Sequence, residues 1–277
     1  MFGRTLSYFV LIFTAVLNAQ ITCSPTDRTL FQSKIYELSI DKAASYGDSI
    51  VAMGKSFLGT PYVEKTLEIG NTETLVINLR GLDCTTFVEN VLAFSLLYKN
   101  EQTDFTSFAA NLKTIRYRNG VLNGYPSRLH YFTDWIRNNE GKGLVKNITS
   151  ALGGIEHNKP INFMGTHREL YPYLKQDENH DTILKIEAQL AEQPLCILPQ
   201  DQIEGSEHLI QSGDIIALAT SIKGLDVTHT GFAVRQNGRI HLLHASSSGS
   251  VRITEQPLAD YLKKIKNNIG VIVARPQ

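Results

Sequence analysis

Thr228-His-Thr-Gly-Phe-Ala-Val-Arg-Gln-Asn-Gly-Arg-Ile-His-Leu-Leu-His244 carries alternating apolar positions on both sides of Asn237-Gly238, the strongest short turn signal in the chain. If those two residues form the loop, Gln236 faces Arg239 and the register follows from there. Ala233 then falls opposite Leu242, Gly231 opposite His244, and His229 opposite Ser246. His229 and His244 therefore project from the same face as diagonal neighbours, and His241, opposite Val234, points the other way. Gly231 has no side chain, so His244 has room to lean towards His229. His241 reads as a surface or packing histidine. The first two read as a base and the group that orients it.

Around this hairpin, short strand patterns recur at Asp214 to Ala219, Val251 to Thr254 and Val271 to Ala274, so the last third of the chain predicts an antiparallel sheet. The first half reads differently. After a polar leader, helical periodicity covers 41 to 57, 84 to 98, 104 to 117 and 128 to 138, with one strand at Thr74 to Asn78. From 145 to 180 the pattern is weak, apart from short strands near Val145 and Ile161. No repeat, low-complexity tract or long linker divides the chain. The expectation is an α+β domain over 20–277, with N-terminal helices packed on a C-terminal antiparallel sheet.

A base needs a nucleophile. Cys84 opens the strongest helix, whose buried stripe reads Phe87, Val88, Val91, Leu92 and Ser95, and Asp83 stands at its N-cap position. A first-turn cysteine meets unpaired N–H groups and the positive end of the helix dipole, which favour the thiolate; the Cys84 amide is placed to face an oxyanion. The expected result is a thiol alkylated well below pH 8.5, the region of an ordinary cysteine. A buried structural cysteine is the competing reading.

The chain has 277 residues, with Lys plus Arg and Asp plus Glu both counting 27, so no net field favours a nucleic acid partner. Arg4, the apolar run Leu6 to Leu17 and the following Asn18-Ala19 read as a secretory signal peptide over 1–19, cut after Ala19. That run is too short to serve as a membrane anchor, and no later stretch approaches the ~20 apolar residues of a membrane helix. The protein is expected to be exported to the periplasm. Lipid anchoring at Cys23 competes poorly, because Gln20-Ile21-Thr22 lacks a small residue before the cysteine. Three cysteines cannot all pair, and neither CxxC nor HExxH occurs, so no local metal motif exists.

Gly59-Thr-Pro-Tyr62, Asp83-Cys84, Ser212-Gly-Asp-Ile-Ile216, His229-Thr-Gly231 and His244-Ala-Ser246 follow one another in an order that resembles NlpC-type cell-wall cysteine peptidases. Within that superfamily, Gly81-Leu-Asp-Cys-Thr-Thr-Phe-Val-Glu89 and Ser127-Arg-Leu-His-Tyr-Phe-Thr-Asp-Trp135 are most similar to the N-acetylmuramoyl-L-alanine amidase-like family. The resemblance implies a papain-like fold, no cofactor, and peptidoglycan fragments (muropeptides) as substrate. It makes Cys84 the nucleophile, His229 the base and His244 the orienter, with Tyr62, Asp83 and Thr85 around the oxyanion and substrate.

Departures from the superfamily pattern narrow the bond. Its γ-D-glutamyl endopeptidases follow the tyrosine with a glycine pair and the cysteine with Ser-Gly, whereas this chain has Glu64-Lys65 and Thr85-Thr86. The longer insertion from Thr66 to Arg80 also separates it, and the amide between N-acetylmuramic acid and L-Ala is the expected target. Arg128, His130, Tyr131 and Asp134 are candidates for holding substrate carboxylates or sugar, against a plain amphipathic helix with a solvated face. Three alternatives stay open: an endopeptidase, a non-catalytic binding module, and an acyltransferase. No protein partner is implied.

Overall fold

In the computed structural model, residues 21–40 and 45–277 are described, so the signal-peptide reading and the start of the 41 to 57 helix lie outside them. The helices are α1 Pro25–Ile40, α2 Tyr46–Lys55, α3 Cys84–Lys99, α4 Phe105–Arg116, α5 Phe132–Gly141, α6 Phe163–Thr166, α7 Asp177–Ala191, α8 Ile203–Ser206 and α9 Leu258–Leu262. The strands are β1 Ile21–Cys23, β2 Leu75–Ile77, β3 Val145–Asn147, β4 Ile155–His157, β5 Leu195–Pro199, β6 Ile215–Thr220, β7 Val227–Gln236, β8 Arg239–Ala245, β9 Val251–Ile253 and β10 Asn268–Pro276. None of the described helices is long and apolar enough to cross a membrane.

An antiparallel sheet runs in the order β4-β5-β10-β6-β7-β8-β9, with β3 on β10, and β1 pairs with β2 in a separate parallel ribbon. The hairpin register is the one expected: Gln236 pairs with Arg239, Ala233 with Leu242 and Phe232 with Leu243. Successive side chains enter two clusters, as strand period demands. Ile215, Ala217, Phe232, Val234 and Leu243 join the helices, whereas Ile216, Leu218, Ala233, Leu242 and Val273 meet Leu258 and Leu262 of α9 on the other face.

At the centre lies α3. Its residues 86–97 are all buried, so the helix is enclosed on every side instead of resting on one stripe. It touches α2, α4, β7 and β8. Phe87 meets Phe232 of the sheet edge-on at 5.8 Å, and Phe94 meets Phe108 of α4 at 4.4 Å. This packing fixes the helix start, and therefore Cys84, against the sheet.

The segregation of helices before sheet is looser than expected. Strands β3, β4 and β5 and helix α7 come from the middle of the chain, and Ile161 forms only an isolated bridge to Gly224. The polar leader is also a helix, α1. Its buried positions Asp27, Phe31 and Lys34 have helical spacing, but two carry charges, which hides the stripe in the sequence. Asp27 accepts from Ser24, Leu79 N and Arg80, and Lys34 lies 3.6 Å from the Phe57 ring centre.

Candidate active site

Asp83 caps α3: its carboxylate accepts from Thr86 N at 2.8 Å, and its own amide donates to Thr86 Oγ1 at 2.9 Å. The reciprocal cap leaves the first amides, including that of Cys84, outside the intrahelical ladder. Across from it, Thr230 Oγ1 donates to Cys84 O at 3.0 Å, tying the helix start to β7 one residue beyond His229. Cys84, Thr85, Thr230 and His229 line one cavity of about 130 Å³, together with His130, Tyr131, Met164, Tyr171 and Asp226.

His229 and His244 meet as the register requires. Nε2 of His229 lies 2.6 Å from Nδ1 of His244, with the rings perpendicular at 89°. Gly231 permits this approach, because a Cβ there would sit 2.9 Å from His244 Cβ and 2.6 Å from Leu243 O. If His229 donates through Nε2, its Nδ1 is bare and available to take a proton. His244 then carries its own proton on Nε2. His241 takes no part; its Nδ1 bonds Thr254 O at 2.8 Å on the other face of the strand.

The electrostatics differ from a preformed ion pair. Burial pushes the Cys84 thiol up to about 11, and Asp83 adds to this, against hydrogen bonds from Thr230 and Thr85. Burial holds His229 down to about 4, and burial, His229 and Arg252 hold His244 down to about 3. Desolvation outweighs the helix dipole. These directions favour a neutral thiol beside two neutral imidazoles before substrate binds, against the expectation of alkylation well below pH 8.5.

The remaining sequence candidates divide. Thr85 and His130 line both the thiol cavity and an adjoining depression of about 200 Å³, which also holds Asp83, Glu68 and Arg128. Arg128 is buried, 3.6 Å from Glu68 and 3.5 Å from Glu73. The His130 Nε2 donates to Tyr125 O at 3.0 Å, and burial, with Arg128, holds its pKa well below 6.5. A neutral imidazole with that tautomer offers only an acceptor, Nδ1, which suits a substrate N–H or O–H and repels a carboxylate.

Tyr131 reaches the cavity wall, but its hydroxyl donates to Glu187 at 2.6 Å and accepts from Met164 N. Asp134 is not brought to the cavity; its carboxylate is engaged by Arg118. Tyr62 runs beside Leu82, anchored by Tyr62 N to Gly249 O, and its hydroxyl donates to Glu64 at 3.3 Å. It lies close enough for charge on Cys84 to raise its pKa, although burial raises it more.

Sequence reasoning missed Thr230, Tyr171 and Asp226. Asp226 is buried, accepts from Thr133 N, Thr133 Oγ1 and Val227 N, and so braces the start of β7 against α5. Its position just before a predicted strand that bears the base is the one signal in the sequence that could have found it. The Ser212-Gly-Asp motif proves to be architectural: Gly213 has φ 90° against Gly47, and Asp214 pairs with Arg275 at 2.7 Å. A larger depression beside it, about 690 Å³, contains none of the cysteine or histidine site. No cluster among the described residues is composed to hold a metal.

The chain is similar to several proteins of solved structure. An N-acetylmuramoyl-L-alanine amidase from Bacteroides uniformis is 37% identical, with 84% of this chain and 99% of that chain covered and a TM-score of 0.80. A Bacteroides fragilis protein whose structure is named for a xylanase is 42% identical over 81% of this chain and 99% of its own, with a TM-score of 0.77. A Legionella pneumophila protein, 22% identical over 91% of this chain and 94% of its own, shares the fold at a TM-score of 0.68. No protein of curated function matches. The N-acetylmuramoyl-L-alanine amidase-like family model matches residues 52–271, and the chain belongs to that family.

Proposed function

We propose that this protein is an exported cysteine amidase with a papain-like core of the NlpC type, cleaving the amide between N-acetylmuramic acid and L-Ala in peptidoglycan fragments. The observation that carries this reading is the 2.6 Å His229–His244 contact in a strand that is hydrogen-bonded to the start of the Cys84 helix. Cys84 Sγ attacks the lactyl carbonyl as its proton passes to His229 Nδ1. The oxyanion forms beside the Cys84 amide, with Tyr62 next to it. His229 then gives the proton to the departing L-Ala nitrogen, which leaves the muramoyl group as a thioester. Water, deprotonated by the same imidazole, releases the acid and restores the thiol. His244 holds the His229 tautomer throughout.

A glycosidase reading, prompted by the Bacteroides fragilis relative, finds less support. Glycoside hydrolysis uses a pair of carboxyl groups on either side of a sugar bond. Asp226 in the cavity wall is bonded to Thr133 and Val227, and nearby Asp83 and Glu89 are engaged by Thr86 and Arg116.

Mass spectrometry of muropeptides incubated with the mature protein tests the proposal. An intact stem peptide beginning at L-Ala, absent with Cys84→Ala, is the expected product. A cut inside the stem would reassign the enzyme as an endopeptidase, and stem release by Cys84→Ala would remove the nucleophile.

The N-terminus bears on export. Thr22 Oγ1 lies 2.9 Å from Thr74 Oγ1, and Ile21, Thr22 and Cys23 pair with Leu75, Val76 and Ile77. Lipidation at Cys23 would require a cut before that residue and remove most of β1, whereas a cut after Ala19 keeps the strand. The secreted protein is therefore expected to have the mass of a chain starting at Gln20. A diacylglycerol-bearing Cys23 terminus would contradict this.

A further inference from the structure

His244 is 2% exposed, and one of its two ring nitrogens is engaged by His229. The other, Nε2, has no hydrogen-bond partner among the described residues. The ring also lines a second, outward-facing trough of about 410 Å³ on the side away from Cys84, walled by Ser246, Ser248, Arg252, Tyr261 and Lys264. Tyr261 stands edge-on to the His244 ring at 5.7 Å, and Ser246 Oγ lies 2.8 Å from Ser248 Oγ. Arg252 reaches Ser248 Oγ at 3.5 Å and Glu255 at 3.6 Å, but the Glu255 side chain is 88% exposed, a loose counter-ion at the rim. An unpartnered ring nitrogen, two cations and hydroxyl groups thus line one trough, with the exposed Glu255 its one carboxylate.

We infer that this trough is a carboxylate-binding site, and that a carboxylate seated between Arg252 and Lys264 accepts the Nε2 proton of His244 and makes the His229–His244 pair more basic. The inference rests on the reading of His229 as base. Its chemistry is a hydrogen-bonded relay in which no bond other than that of the shared proton changes. The groups that face His244 are His229, Arg252 and Tyr261, with Lys264 and Glu255 on the trough wall; burial opposes imidazolium formation most, His229 and Arg252 add to it, and a carboxylate would offset the Arg252 charge. A carboxylate on the stem peptide and a free small carboxylate share this chemistry.

The test is an NMR titration of the His229 and His244 imidazoles with acetate or with chloride at equal ionic strength. Acetate is expected to raise the midpoint of the pair by about one unit, a tenfold gain in proton affinity. The Arg252→Gln, Lys264→Gln double variant is expected to lose that dependence. Equal midpoints in the two salts, or a rise that persists in the double variant, would overturn the site. Turnover of muropeptides with stem carboxylates free or amidated names the source: a loss on amidation that acetate restores identifies the substrate's own carboxylate, whereas no loss identifies a free one. Stem release by Cys84→Ala would sink the amidase reading instead, so the two failures are separable.

Discussion

Alkylation of Cys84 in the protein without substrate will rise about tenfold per pH unit from about pH 7 to pH 10, roughly a thousandfold in all, with no plateau in the neutral range. The thiol, pushed up to about 11 by burial, is below its midpoint over that whole span, and His229, held down to about 4, has no proton to give it a counter-ion. Only the thiolate reacts, so the rate follows its fraction. A preformed thiolate–imidazolium pair behaves differently: its rate is flat from about pH 5 to pH 9, the interval in which the pair persists. A flat profile from stopped-flow or mass-detected alkylation would mean that the helix dipole and His229 together overcome desolvation, and would replace the neutral resting state.

A neutral resting site changes what the substrate must do. With the thiol protonated, attack and proton transfer to His229 Nδ1 are coupled, and the driving force is the oxyanion taking charge next to the Cys84 amide. His244 matters here through geometry more than through charge. At 2.6 Å the two rings share one proton, and a second charge on His244 would repel the imidazolium that forms on His229. The proposed carboxylate in the outer trough acts on the same step, from the side opposite the thiol.

Those features were unequally legible in the sequence. The hairpin register depends only on the Asn237-Gly238 turn and a period of two, both local, and it places His229 beside His244 without any tertiary information. Helix α3 was equally plain, because Asp83 and the apolar run are local too. What could not be read is what depends on enclosure. The dipole argument for Cys84 is sound for an exposed helix start, but residues 86–97 are buried on all sides, and Cys84 is half-buried at the wall of a small cavity, so desolvation opposes the dipole. Asp134 looked like a substrate ligand because its partner, Arg118, stands 16 positions away, beyond a turn. Strands β4 and β5 lacked alternation: Leu195, Ile197 and Leu198 are all buried, so the strand contributes to both clusters.

Arg116→Met will destabilise the protein by about 3–5 kcal/mol, and adding Glu89→Leu to it will recover part of that loss. Arg116 and Glu89 are 1% and 2% exposed and meet at 2.7 Å, and Arg116 Nη1 also donates to Val76 O at 2.6 Å. Burial raises the Glu89 carboxyl, and Arg116 is the largest opposing influence on it. Without the guanidinium, a carboxylate is left in the core with no cation; the chain must then protonate it, hydrate it or loosen around it. Removing both charges leaves only the Val76 carbonyl unmet, at about 1–3 kcal/mol. Urea midpoints of the single and double variants decide the matter. A single variant within about 1 kcal/mol of the parent would show that water or Lys142 reaches Glu89, and that the core is wetter than its exposures imply. The consequence extends to the site, because Glu89 belongs to the helix that Cys84 opens and Val76 to the strand that carries β1. A core that opens here would loosen the start of α3 relative to β7, and the Thr230–Cys84 hydrogen bond is where that displacement would first be felt.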